Sequence, residues 1–280
     1  MPSTFIQWFP GHMTKAIRMM KEEIKPVDCV IYVLDARVPM SSINPSFDEI
    51  IAGKPRLYVL NKSDLVPQSE LNQWIKYFSS LPQSACVTNV STKNADGKVI
   101  SVLKQLNKDK IDRFLAKGVK KTIRAMVIGI PNCGKSTLIN SLIGKKKTIT
   151  GNRPGVTRGK QWVSVDPYVE LLDTPGTLYP DFSDQEKALH LAFVGSVRDE
   201  IVDILFLSQK LLDFLYENYP DEVKSKYGEG GTLADVAKKR GYLMKGGEID
   251  FERTAKAVLS DFRKQAFGKI ILEKVDGRSF

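Results

Sequence analysis

The stretch Gly129-Ile-Pro-Asn-Cys-Gly-Lys-Ser136 constrains this chain more than any other. It matches G-x-x-x-x-G-K-[ST], a spacing that average composition yields in roughly one chain of this length in a hundred. Its flanks sharpen the match. The apolar run 123–128 leads straight into it, and residues 136–143 leave it with the periodicity of an amphipathic helix. A strand, a glycine turn and a helix N-terminus in that order gather backbone N–H groups around a phosphate, and Lys135 neutralises it. In an open α/β sheet such a loop crowns the C-terminal end of a strand.

Other short β-branched runs share the character of 123–128. Residues 29–34, 56–60 and 86–90 lack the alternation of a half-exposed sheet and read as strands buried on both faces, and helix-like stretches at 71–79 and 98–106 separate them. That pattern predicts a mostly parallel sheet with helices on both faces. Residues 162–165 and 169–172 flank Asp166-Pro167 and read as a hairpin, which adds one antiparallel edge strand. A short basic connector, 117–121, precedes the strand that enters the glycine loop. From about Leu178 the pattern changes: 185–196, 199–217, 232–240 and 251–267 read as amphipathic helices, with a strand possible only at 270–273. The expected organisation is an α/β domain over residues 1–178 and an all-helical domain over 179–280.

Composition narrows the class. Hydrophobic content of 42% and charged content of 26% suit a soluble globular chain. No apolar run is long enough to span a membrane, since Arg198, Asp199, Glu200 and Asp203 interrupt the best candidate. The N-terminus lacks the apolar core of a secretion signal; its basic piece at 14–25 resembles a transit signal, but Glu22 and Glu23 argue against one. Cys29, Cys86 and Cys133 are odd in number and widely spaced, which predicts neither a disulfide framework nor a zinc site. The net charge of +10 fits either simple solubility or a polyanionic partner.

Four further motifs accompany the glycine loop. Leu171-Leu172-Asp173-Thr-Pro-Gly176 places a carboxylate at a strand end, where it suits a water-mediated Mg²⁺ contact, with the Gly176 amide near a terminal phosphate. Between the two, Pro154-Gly155-Val156-Thr157 offers a threonine hydroxyl to complete a Mg²⁺ shell alongside Ser136. Upstream, Asn61-Lys62-Ser63-Asp64 follows the run 56–60. The Asp64 carboxylate accepts two hydrogen bonds, which matches the N1–H and N2–H₂ donors of guanine and leaves adenine unmatched. A site with such dedicated partners rejects the wrong base by roughly 10⁴-fold. Asn61 suits the purine's other edge, and the stem of Lys62 suits the ring face. Ser91-Thr92-Lys93, after another strand, resembles a second base-contacting loop. The candidate GTP-binding set is therefore Asn61, Lys62, Asp64, Ser91, Thr92, Asn132, Cys133, Gly134, Lys135, Ser136, Thr137, Thr157 and Gly176. Ser136, Thr157 and Asp173 are the candidate Mg²⁺ residues, and Cys133 is given no side-chain chemistry.

These motifs run base-reading, base-reading, phosphate loop, first switch, second switch. That is the usual order cut after the second switch, with the old ends joined through the basic connector. Strand ends, rather than chain order, decide which loops meet. The cut makes Asp173–Gly176 lead into the helical domain, so a loop released on hydrolysis is expected to pull on that domain.

Together with Trp8-Phe-Pro-Gly-His12-Met13 and Asp35-Ala-Arg37-Val-Pro39, the motifs resemble the ribosome biogenesis GTPase A family of circularly permuted GTPases over essentially the whole chain. The resemblance implies a monomeric cytoplasmic GTPase that acts late in large ribosomal subunit assembly. It would bind GTP and GDP, engage the subunit precursor through rRNA and ribosomal proteins, and respond to the particle by hydrolysis. It implies that the helical domain contacts rRNA, consistent with Lys238-Lys239-Arg240, and that no membrane is involved. It implies Mg²⁺ as cofactor and K⁺, held by Asn132, as activator. Thr177 and Leu178 replace the water-orienting glutamine that many GTPases carry after this glycine, and the resemblance points to His12 as catalytic in its stead; the alternative is a structural turn histidine. Asp35 and Arg37 are expected to serve the fold or a partner. Two other readings stay open: a P-loop ATPase or small-molecule kinase, which Asp64 opposes, and a GTP-binding scaffold that never hydrolyses.

Overall fold

The computed structural model describes residues 6, 10–90, 97–143, 162–179 and 183–275. The chain divides into two compact units, residues 9–179 and residues 180–280 together with residues 1–8.

The first unit begins with α1 (Gly11–Glu23) and then builds a six-stranded sheet from β1 (Cys29–Asp35), β2 (Arg56–Asn61), β3 (Ser84–Asn89), β4 (Ile123–Ile128), β5 (Trp162–Asp166) and β6 (Val169–Asp173). The order across the sheet is β3-β2-β1-β4-β6-β5, all parallel except the antiparallel edge strand β5. This matches the expected mostly parallel sheet with one hairpin. Every residue of β1 is buried, which explains its continuous apolar sequence: a central strand of a parallel sheet is covered on both faces. The helices α2 (Gln68–Ser80), α3 (Lys98–Leu106) and α5 (Lys135–Ile143) pack against the sheet. On α2, Leu71, Trp74 and Phe78 recur at helical spacing and are buried. The Phe78 ring lies 4.6 Å from that of Tyr58 on β2, and Tyr58 stacks in turn on Tyr32 of β1. The connector is longer in structure than its basic run, because α4 (Lys108–Leu115) occupies its first half with no buried residue.

The second unit contains α6 (Gln185–Phe193), α7 (Ile204–Asn218), α8 (Pro220–Tyr227), α9 (Leu233–Arg240) and α10 (Phe251–Arg263). Two expectations change here. The helix expected over 199–217 starts only at Ile204, because Asp203 accepts hydrogen bonds from the Leu205 and Phe206 N–H groups and caps it. Residues 270–273 form no named strand; Ile270, Ile271 and Leu272 are buried, and the Ile271 backbone exchanges hydrogen bonds with the Tyr219 hydroxyl. Arg263 closes the C-terminus of α6 by donating to the carbonyls of Phe193 and Ala192 while pairing with Asp199. The buried Ile6 exchanges backbone hydrogen bonds with the Gln185 side chain. Among the described residues, no helix is long and apolar enough to cross a membrane.

Candidate nucleotide-binding site

β1, β2, β3, β4 and β6 are mutually parallel, so their C-terminal ends lie on one edge of the sheet. Asp35, Asn61, Asn89 and Asp173 each close a strand on that edge, and the glycine loop leaves β4 beside them. The register pairs Asp35 with Asn61 and Asn61 with Asn89, so three polar residues stand in a row across β1, β2 and β3.

The glycine loop folds tightly over the end of β4. Gly129 has φ 152°, and a Cβ there would stand 2.3 Å from the Val33 carbonyl oxygen, so only glycine fits. Lys135 opens α5 and is buried; its Nζ donates to the Gly129 and Ile130 carbonyls at 3.0 and 2.9 Å. Cys133 is fully buried and burial pushes its thiol up, which leaves it a packing residue. The loop, the first turn of α5 and residues 173–176 enclose a cleft of about 540 Å³, lined by Asn132, Gly134, Lys135, Ser136, Thr137 and Gly176 among others. A cleft of this size accommodates a nucleotide-sized ligand. Gly176 packs so closely that a Cβ would lie 2.8 Å from both Lys135 Nζ and Pro131 Cα.

The candidate metal residues meet in the same cleft. Ser136 Oγ donates to Asp173 Oδ2 at 3.2 Å, while Asp173 Oδ1 is buried with no hydrogen-bond partner among the described residues. Burial raises the Asp173 pKa above the ordinary aspartate value, against the pull of Lys135 and the hydrogen bonds from Ser136 and the Thr174 N–H. Hard oxygen donors and an unsatisfied carboxylate oxygen fit Mg²⁺. Thr174 donates from its hydroxyl to the Val127 carbonyl at 2.6 Å, which ties this segment back to β4.

The base-reading loop reaches the glycine loop directly. Asn61 donates from Nδ2 to the Cys133 carbonyl at 2.7 Å, across 72 positions of sequence, and accepts at Oδ1 from Asn89 Nδ2 at 2.8 Å. Lys62 Nζ donates to the Asn132 carbonyl at 2.8 Å. Ser63 Oγ donates to the Asn89 carbonyl, which steadies the turn that presents the half-buried Asp64. Sequence reasoning missed Asn89 and read Asp35 as a fold or partner residue; both enter the site through strand register.

His12 lies in the first turn of α1 and is exposed. Its neighbour Met13 is buried and accepts at sulfur from the Leu178 N–H, two residues past Gly176. Ser91, Thr92 and Thr157, named above as candidate site residues, lie outside the described residues.

A family model described as "50S ribosome-binding GTPase" matches residues 124–226. The chain is 43% identical to Ribosome biogenesis GTPase A of Bacillus cereus, over 96% of this chain and 93% of that one. It is 31% identical to the protein of the same name from Thermotoga maritima over 96% and 94%, and 33% identical to bovine mitochondrial ribosome-associated GTPase 1 over 98% and 90%. Its fold is similar to that of the GDP-bound structure of Thermotoga maritima YlqF, with TM-score 0.68 and 25% identity over 92% of this chain and all of that one. The GNP-bound structure of the same protein gives 0.66 over 94% and 100%. At 43% identity to Ribosome biogenesis GTPase A over nearly the whole of both chains, the chain belongs to the ribosome biogenesis GTPase A family.

Proposed function

We propose that this protein binds GTP, hydrolyses it to GDP and phosphate, and acts as an assembly factor in late maturation of the large ribosomal subunit. One observation carries the nucleotide reading: Asn61 and Lys62 bond to the backbone of Cys133 and Asn132, so a guanine-reading loop and a phosphate loop form one site despite their reversed order. Asp64 accepts from the guanine N1–H and N2–H₂, the backbone at Ser91 and Thr92 contacts guanine O6, and Lys135 with the N–H groups of Gly134–Thr137 holds the phosphates. Ser136 and Thr157 would hold Mg²⁺ directly and Asp173 through water. The ion, when bound, neutralises charge on the terminal phosphate oxygens.

His12 is the proposed positioning group for the attacking water, supported by the packing of its neighbour Met13 on Leu178. Asn132 is proposed to hold K⁺ beside the phosphates. Residues 1–178 then form the nucleotide-hydrolysing part and residues 179–280 the part that meets the particle, where the exposed Lys238, Lys239 and Arg240 favour rRNA.

Phosphate release, measured with and without purified large ribosomal subunits in K⁺ and in Na⁺, tests this reading. Turnover stimulated by subunits is expected. Identical rates with and without subunits contradict the assembly role, and no release under any condition contradicts hydrolysis. His12→Ala separates the water-positioning role: GTP affinity stays and stimulated turnover falls by roughly 10²-fold or more.

A further inference from the structure

Three charged side chains converge where β1 and β2 end. Asp35 is 1% exposed and Arg37 3% exposed. Arg37 donates from Nε to Asp35 Oδ1 at 2.9 Å and from Nη2 to Oδ2 at 2.8 Å, a two-pronged clamp that fixes the plane of the carboxylate. The Arg37 backbone N–H also donates to Oδ1, and the Asp35 N–H donates to Ser42 Oγ. Lys62 Nζ completes the group, 2.7 Å from Asp35 Oδ2 and 2.8 Å from the Asn132 carbonyl oxygen.

Lys62 has φ 58°, a left-handed backbone conformation that non-glycine residues rarely adopt. The turn is thus set so that the side chain runs back from the base-reading loop to the glycine loop. A lysine stem has many rotamers, and ordering it on ligand arrival would weaken binding. Here two acceptors, Asp35 Oδ2 and the Asn132 carbonyl, hold its ammonium in place.

We propose that Asp35, braced by Arg37, is a positioning residue for nucleotide binding: it pins Lys62 across the base pocket and onto the phosphate loop. This rests on the GTP-binding reading above. Asp35 does not touch the nucleotide; it acts through Lys62. The apolar run that precedes it delivers it to the site, since the β1–β2 register places Asp35 beside Asn61.

The test is a double-mutant cycle read as equilibrium affinity for GTP and GDP, with Asp35→Asn, Lys62→Met and the double variant. Asp35→Asn is expected to weaken both nucleotides by about tenfold, through loss of a charged hydrogen bond, and to lower affinity more than it lowers the single-turnover rate at saturating GTP. Removing a negative charge near a triphosphate would by itself tighten binding, so a loss of affinity is diagnostic of the positional route. In the Lys62→Met background the Asp35→Asn change should shift affinity less than twofold. Unchanged or tighter binding by Asp35→Asn, or an equal loss in both backgrounds, overturns the proposal. Should Asp35→Asn fail to fold, ¹⁵N spectra of the wild-type lysine ammonium groups decide. A distinct, exchange-protected Lys62 signal, assigned by its loss in Lys62→Met, is expected, and a Lys62 ammonium averaged with solvent-exposed lysines overturns it. Wild-type protein that binds no GTP would instead remove the underlying reading.

Discussion

The two halves of the nucleotide site are built differently. The base-reading half is tied together by side-chain hydrogen bonds: Asn89 bonds Asn61, Asn61 bonds the Cys133 carbonyl, and Asp35 holds Lys62 against Asn132. The phosphate half is an open cleft in which Lys135 donates to its own loop and Asp173 keeps a buried oxygen without a partner among the described residues. The two halves divide the labour. A base-selective surface gains from rigidity, because specificity is a difference of affinities for preset donors and acceptors. A phosphate and metal surface is completed by its ligand, so it can respond to which nucleotide is bound.

The comparison breaks most readily at Asp64. Asp64→Asn is expected to lower GTP affinity by roughly 10⁴-fold. It should also raise affinity for xanthosine triphosphate, whose C2 carbonyl accepts from the new amide; competitive binding reads both. Equal GTP binding by the variant would mean that the base half selects nothing. In the phosphate half, Asp173→Asn should raise the Mg²⁺ concentration for half-maximal turnover by about 10–100-fold, the range for an ion's outer partners, while Mg²⁺-free GDP affinity stays close to wild type. Gly176→Ala brings a Cβ within 2.8 Å of Lys135 Nζ and Pro131. It is expected to slow single-turnover hydrolysis on the order of tenfold with guanine selectivity intact; a change in selectivity would show that the halves are not separable.

The smallest effect lies at the far end of β1. Burial favours the neutral form of Asp28, but hydrogen bonds from Lys110 and the Arg124 N–H and the charge of Lys121 outweigh it and lower the pKa below the ordinary 3.8. A lowered folded-state value means that this contribution to stability is present above pH 3.8 and is lost as pH falls through the folded value. Asp28→Asn should therefore flatten the acid limb of the stability–pH profile in chemical denaturation without altering nucleotide affinity. A steeper acid limb would contradict the assignment.

Much of this architecture was legible from residues alone, for physical reasons that also explain the gaps. Central parallel strands are apolar on both faces, so β1, β2 and β4 stood out as runs; the hairpin of β5 and β6 was visible from Asp166-Pro167. Helix α8 was not, because Pro220 reads as a terminator, yet it occupies the first turn of that helix, where its missing N–H costs nothing. Helix α4 buries no residue and so carried no core signal. Within the site, the glycine loop and Asp64 were readable because their chemistry is local. The Asn61–Asn89 pair was not, since register is a tertiary fact; Asp35 was readable as ending the strand beside the base-reading one, but its ion pair with Lys62 depends on the path of a long side chain.

The claim on which both halves depend is that Asp64 and Lys135 serve one guanine nucleotide. Displacement of a fluorescent GDP analogue from the wild-type protein, titrated in parallel with GTP, GDP and ATP, tests it most directly. GTP and GDP should displace the probe, whereas ATP should leave it bound even at a thousandfold higher concentration, within the ~10⁴-fold selectivity that a dedicated acceptor supplies. Displacement by ATP at concentrations like those of GTP would contradict the account.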